Sequence, residues 1–146
     1  MISLSLLLVY TILGKDKMVR NTVRGDTNRG GAVEAGWYRY NEVYLENGRY
    51  LDGYDPIGKK IVSRKAIDLE NIDPYMFEKY CQEFGIKYAV GTKIKTLKSG
   101  YEDIKETLLN GKYKLEIPIS NKTFEGLKQF EEIAKRYDVE IIFKLE

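Results

Sequence analysis

The hydrophobic pattern of the chain changes near residue 73, from strand period alone to alternating helix and strand periods, and that change bounds the fold. From residue 37 to residue 65, apolar and polar side chains alternate in short runs separated by turn residues. That is the pattern of strands, whose successive side chains point to opposite faces. Residues 37–45 (WYRYNEVYL) read as a first strand. Asn47-Gly48, the strongest short hairpin signal, follows it. Residues 49–51 form the return strand, Tyr54-Asp55-Pro56-Ile57-Gly58 a second turn, and residues 60–65 (KIVSRK) a β-branched third strand. Residues 37–65 are therefore an antiparallel meander.

Beyond Asp73-Pro74 the apolar spacing becomes helical. Asp73 is placed to cap the helix and Pro74 to occupy its first turn. The pattern predicts a helix to about Phe84, ended by Gly85, with Met76, Phe77, Tyr80 and Phe84 on its apolar face. Cys81 falls mid-helix and reads as an enclosed structural thiol. Residues 86–94 read as a strand, 101–109 as a short amphipathic helix stopped by Asn110-Gly111, and 113–119 (YKLEIPI) as an alternating strand. Residues 123–137 carry Phe124, Leu127, Phe130, Ile133 and Ala134 on one helical stripe, and 139–145 (VEIIFKL) closes as a strand. The class is α+β: an N-terminal antiparallel β-meander, then α-β-α-β-α-β elements packing on one mixed, mostly antiparallel sheet.

Residues 1–14 are an apolar segment of about 12 residues, short of the roughly 20 that a helix needs to span a bilayer. The segment lacks the basic start and small-residue cleavage site of a signal peptide, and reads as signal-like or as a remnant. Residues 15–36 are polar and glycine-rich. With no internal repeat and no long linker, residues 15–146 read as one domain, and no stable membrane span is expected.

Function is bounded first by what is missing. The chain has no histidine and one cysteine. This excludes Ser-His-Asp and Cys-His catalysis, a histidine metal site and an internal disulfide framework. Any catalysis must run on carboxylates, Lys, Arg, Tyr, Ser or Thr. Six of the seven arginines lie between Arg20 and Arg64, and the C-terminal half uses lysine almost exclusively. Arginine suits bidentate phosphate recognition, so polyanion-facing chemistry is expected in the N-terminal half.

Three constellations stand out, each with a plain structural reading beside the functional one. The meander interleaves Trp37, Tyr38, Arg39, Tyr40, Tyr44, Arg49, Tyr50, Tyr54 and Arg64. Rings beside guanidinium groups suit base stacking with phosphate contact, and equally suit cross-strand pairing. Alternation puts Tyr38 and Tyr40 on one face. Arg29-Gly30-Gly31 with Glu34 can bring backbone N–H groups and a carboxylate to an anion, or simply form a surface turn. Lys59, Lys60, Ser63, Arg64 and Lys65 supply a lysine near an arginine, a stand-in for the missing histidine or a guarded sheet edge. Here Ser63 and Lys65 share one face and Arg64 takes the other. Asp52 and Asp55 read as turn formers rather than metal ligands. Glu116, beside Lys114, completes no nuclease pattern.

Residues 47–69 (NGRYLDGYDPIGKKIVSRKAIDL) resemble a segment near the C-termini of bacterial polymorphic toxins, including contact-dependent inhibition, filamentous-haemagglutinin-like and Rhs proteins. Their pattern is similar to N-G-R-Y-L-D-S-Y followed by I-V-S-R-K. Gly53 stands where Ser is common, and Asp55-Pro56 where Val-Pro is. The resemblance spans roughly residues 29–145 and carries over no catalytic set. It implies an effector exported from the producing bacterium, acting in the target-cell cytoplasm and neutralised by a cognate immunity protein.

The leading expectation is a metal-independent, cofactor-free ribonuclease acting on RNA, tRNA included. Its catalytic candidates are Glu34, Arg49, Arg64 and Lys65. Its substrate-binding candidates are Arg29, Arg39, Tyr40, Tyr50, Lys60 and Ser63. Two other readings stay open: an NAD-consuming or ADP-ribosyl-transferring toxin domain, and a non-enzymatic module that binds nucleic acid or protein.

Overall fold

The computed structural model describes residues 38–145. The readings of residues 1–36, and of Trp37 at the first strand's start, lie outside them. Tyr38–Phe143 forms one compact unit. Its sheet has five strands in the spatial order of the chain: β1 (Tyr40–Tyr44), β2 (Tyr50–Asp55), β3 (Lys60–Arg64), β4 (Lys112–Pro118) and β5 (Val139–Lys144). The meander is as expected, with β1–β2 and β2–β3 antiparallel. The chain then crosses over through α1 (Pro74–Lys87) to lay β4 parallel to β3, so the sheet is mixed. A 3₁₀ turn (Ile119–Thr123) and α2 (Leu127–Lys135) connect β4 to β5.

Both apolar clusters lie on one face of the sheet. Leu115 and Ile117 of β4 and Ile141 of β5 meet Phe77, Cys81 and Phe84 of α1 and Phe130, Ile133 and Ala134 of α2. Tyr40, Val43, Leu51, Tyr54 and Ile61 of the meander are covered by Ile94, Ile104 and Leu109 from the segment between α1 and β4. Tyr113 packs against both clusters. In β1, Glu42 takes a left-handed φ of 51°, and it falls between the paired residues Asn41↔Gly53 and Val43↔Leu51. That irregularity lets Tyr40 and Val43, three residues apart, enter the same core.

Several sequence expectations need correction. Gly85 does not end α1: the helix runs on to Lys87, and Tyr88 closes it by donating its N–H to the Phe84 carbonyl. Asp73 does cap it, accepting from the Tyr75 N–H at 2.9 Å. Its buried residues are Phe77, Cys81 and Phe84, whereas Met76 stays 44% exposed. The expected strand at 86–94 is reduced to isolated bridges, Leu45↔Ile94 and Lys93↔Leu108. The expected helix at 101–109 is a set of turns. Glu106 is left-handed at φ 69°, and the Ile94 N–H donates to the Thr107 carbonyl across the loop. Long-range pairing therefore satisfies groups that a helix would have satisfied locally.

Gly111 stops no helix; it has another role. It sits at φ 148°, where a Cβ would lie 2.8 Å from the Lys59 carbonyl carbon. Next to it the Lys112 N–H donates to the Lys59 carbonyl at 2.8 Å. Glycine thus lets β4 enter the sheet alongside the β2–β3 turn.

Candidate functional site

The parallel register of β3 and β4 places Val62 opposite Lys114 and Arg64 opposite Glu116. These four lie on the sheet face away from the helices, because Ser63 and Leu115, one residue along, face the core. Glu116 is the one charged side chain buried among the described residues, at 2% exposure. Arg64 Nε donates to its Oε1 at 2.6 Å, and the Tyr38 hydroxyl donates to its Oε2 at 2.8 Å. Asp52 of β2 completes the group by accepting the Arg64 backbone N–H at 2.7 Å. The Lys65 N–H donates to the Glu116 carbonyl at 2.9 Å, extending the ladder past the pair.

The electrostatics follow from this packing. Burial by itself lowers the pKa of the Arg64 guanidinium. The Glu116 carboxylate, with smaller contributions from Tyr38 and Asp52, more than offsets that and leaves it raised. The Arg64 side chain keeps 27% of its surface exposed, against 3% for Glu116. Arg64 is therefore a charged donor at the edge of an enclosed site, aimed from beneath by a carboxylate.

Tyr38 precedes β1 and is held at both its backbone and its ring. The Asn41 side-chain amide donates to the Tyr38 carbonyl at 2.6 Å. The ring lies on Gly53, where a Cβ would stand 2.5 Å from Tyr38 Cδ2. This departs from simple alternation, which places Tyr38 and Tyr40 on one face: the chain bends at Arg39, and the two rings take opposite sides of the sheet.

The other candidates are dispersed. Ser63 is buried on the helix side. Lys65 also turns that way, with Nζ 3.7 Å from Glu83 Oε1 and 4.8 Å from the Tyr80 ring centroid. Lys65 and Arg64 thus occupy opposite faces and do not share a site. Tyr40 is 3% exposed and packs edge-on to Tyr101, leaving no ring face for a base. Tyr50 is 60% exposed and pairs with Tyr44 at 4.9 Å between centroids. Arg49 lies in the exposed β1–β2 turn, its N–H donating to Asn47 Oδ1. Arg39 is exposed, with Nη2 3.5 Å from Asp103 Oδ2 and its guanidinium over the Tyr40 ring. Lys60 begins β3 opposite Asp55 and Lys112. Arg29 and Glu34 lie outside the described residues.

In the sequence Glu116 and Asp52 carry only weak signals, and Tyr38 offers only its ring. The available signal was in β4 itself. On the face shared by Lys112, Lys114 and Glu116, the acid is the exception. Its partner is set by β3–β4 register, which no local pattern encodes.

Asp55 accepts the Gly58 N–H at 2.8 Å, so it shapes the β2–β3 turn as expected. Among the described residues no cluster of three or more acidic or thiol side chains is placed to hold a metal ion. No helix among them is long and apolar enough to cross a membrane. Compared with models of protein families, with curated proteins and with solved structures, the chain matches none.

Proposed function

We propose that this chain is the effector domain of a bacterial polymorphic toxin, and that it cleaves RNA without a metal. The observation that carries the reading is the Arg64–Glu116 pair: a guanidinium at the end of the central strand, held by an enclosed carboxylate. RNA carries its own nucleophile. The 2′-oxygen attacks the phosphorus as its proton passes to a base, and the bond to the 5′-oxygen breaks as that oxygen gains a proton. The product is a 2′,3′-cyclic phosphate. The protein must supply proton transfer and stabilise the charge on the phosphoryl oxygens.

In this reading Arg64 binds the phosphate, and Glu116 aims it. Lys65 is committed to Glu83 and Tyr80 on the helix side, so Glu34 is the carboxylate proposed to take the 2′-proton. Tyr50, mostly exposed, is the proposed base-stacking ring. The proposal includes delivery into a competitor cell and neutralisation by an immunity protein.

Induced expression of the whole chain in a bacterium tests it. Growth should arrest and total RNA should fragment, and Arg64→Ala should abolish both while the protein remains folded. Normal growth with intact RNA overturns the reading. Arrest with intact RNA and depleted NAD transfers the activity to the NAD-consuming class. An isolated protein that binds RNA with a steep salt dependence yet cuts nothing is a binding module.

A further inference from the structure

We infer that Tyr38 is a positioning residue for Arg64, acting through Glu116, and that Gly53 is what admits it. The inference rests on the reading of Arg64 as a phosphate ligand. A carboxylate holding an arginine by one Nε–H can still turn about its terminal torsion, which is broad. The Tyr38 hydroxyl removes that freedom by occupying the second oxygen at 2.8 Å. Each link of the support is independently fixed. Asn41 clamps the Tyr38 backbone, accepting its N–H at 3.4 Å and donating to its carbonyl at 2.6 Å. Asn41 is in turn held by Tyr101, whose hydroxyl accepts the Asn41 N–H at 2.8 Å, and by Lys98 Nζ, 2.9 Å from its carbonyl. Gly53, paired with Asn41 and Val62, gives the Tyr38 ring its seat.

Any Cβ at position 53 meets the base of that ring, at 2.5 Å from Cδ2 and 3.2 Å from Cγ, so the whole ring must move rather than its tip. Among the described residues, the charged groups bearing on Glu116 are Arg64 from β3, Asp52 from β2 through the Arg64 backbone, and Lys114 on its own strand, which pairs with Glu140 of β5. None of these supplies the second Glu116 oxygen with the bond that Tyr38 makes.

The test compares wild type, Tyr38→Phe, Gly53→Ser and the double variant, using the full chain. The direct readout is hydrogen exchange of the Arg64 Nε–H, followed by nitrogen-15 NMR. Exchange should be about tenfold faster in Tyr38→Phe, which keeps the ring and its packing. Gly53→Ser should match it, and the double variant should add nothing. In RNA cleavage the same variants should lose about tenfold in kcat per folded molecule, the folded fraction being read from the native NMR signals, with KM unchanged. Equal Arg64 Nε–H exchange in wild type and Tyr38→Phe overturns the inference. Should Gly53→Ser fail to fold, Tyr38→Phe decides alone. Should the wild type cut no RNA, the ribonuclease reading falls, while the exchange comparison still decides whether Tyr38 holds the pair.

Discussion

Glu116→Gln removes a charge from a site that is almost closed to water, and the Arg64 guanidinium beside it loses the group that holds it. Breaking a buried pair from one side typically costs 3–5 kcal/mol, and the 27% exposure of Arg64 puts the expected loss at about 3 kcal/mol. Urea unfolding of Glu116→Gln measures it, and a loss under about 1 kcal/mol removes the pair from the determinants of stability. Cys81 offers a second check. The buried thiol is pushed up to about 12, by burial first and by Glu78 second. The folded protein should therefore resist thiol reagents at pH 8, and reactivity should appear only with unfolding. The sign of the linkage is fixed: a raised folded pKa means that the folded state holds its proton longer. The contribution is fully present below the ordinary thiol value of 9 and is lost as pH climbs from there toward about 12. A pH scan of stability on wild type and Cys81→Ala isolates that slope.

At the scale of elements, local signals governed the ends of structure better than its continuations. Asp73 caps α1 as read, and Asp73→Ala should cost about 1 kcal/mol in thermal unfolding. Gly85 is a local stop signal, yet the helix passes through it, because Phe84 and the Tyr88 cap anchor its last turn. The Asn110-Gly111 pair carries a helix-stop signal, but Gly111 is a point of close backbone approach between β4 and the β2–β3 turn. Gly111→Ala should destabilise by about 2 kcal/mol or more, since the left-handed conformation and the contact with Lys59 both oppose a side chain. A neutral result would mean that β4 can shift in register without penalty. The segment over residues 101–109 has a helical apolar pattern but no helix, because Ile104 and Leu109 are buried against the meander through turns instead.

At the scale of the molecule, the meander, both long helices and the last two strands were legible, since each is a period or a cap that neighbouring residues carry. The parallel join of β3 to β4 was not. It follows from a crossover of nearly fifty residues, and no sequence window contains both edges. The candidate site inherits this division. Arg64 was legible as an arginine on the face opposite Ser63 and Lys65. That it meets Glu116, Tyr38 and Asp52 depends on three separate strand pairings and on the turn before β1.

The sequence by itself determined the α+β class, the antiparallel meander, the cap of α1 and the exclusion of histidine chemistry. Those are properties of residue type, and of spacings shorter than one element. Tertiary structure alone decided which carboxylate faces Arg64, which groups Lys65 meets on the helix side and which tyrosines are buried. The physical reason is that a side chain's face follows from local alternation, while its partner follows from register. Register is set by the summed burial of the whole sheet against two helices and a loop.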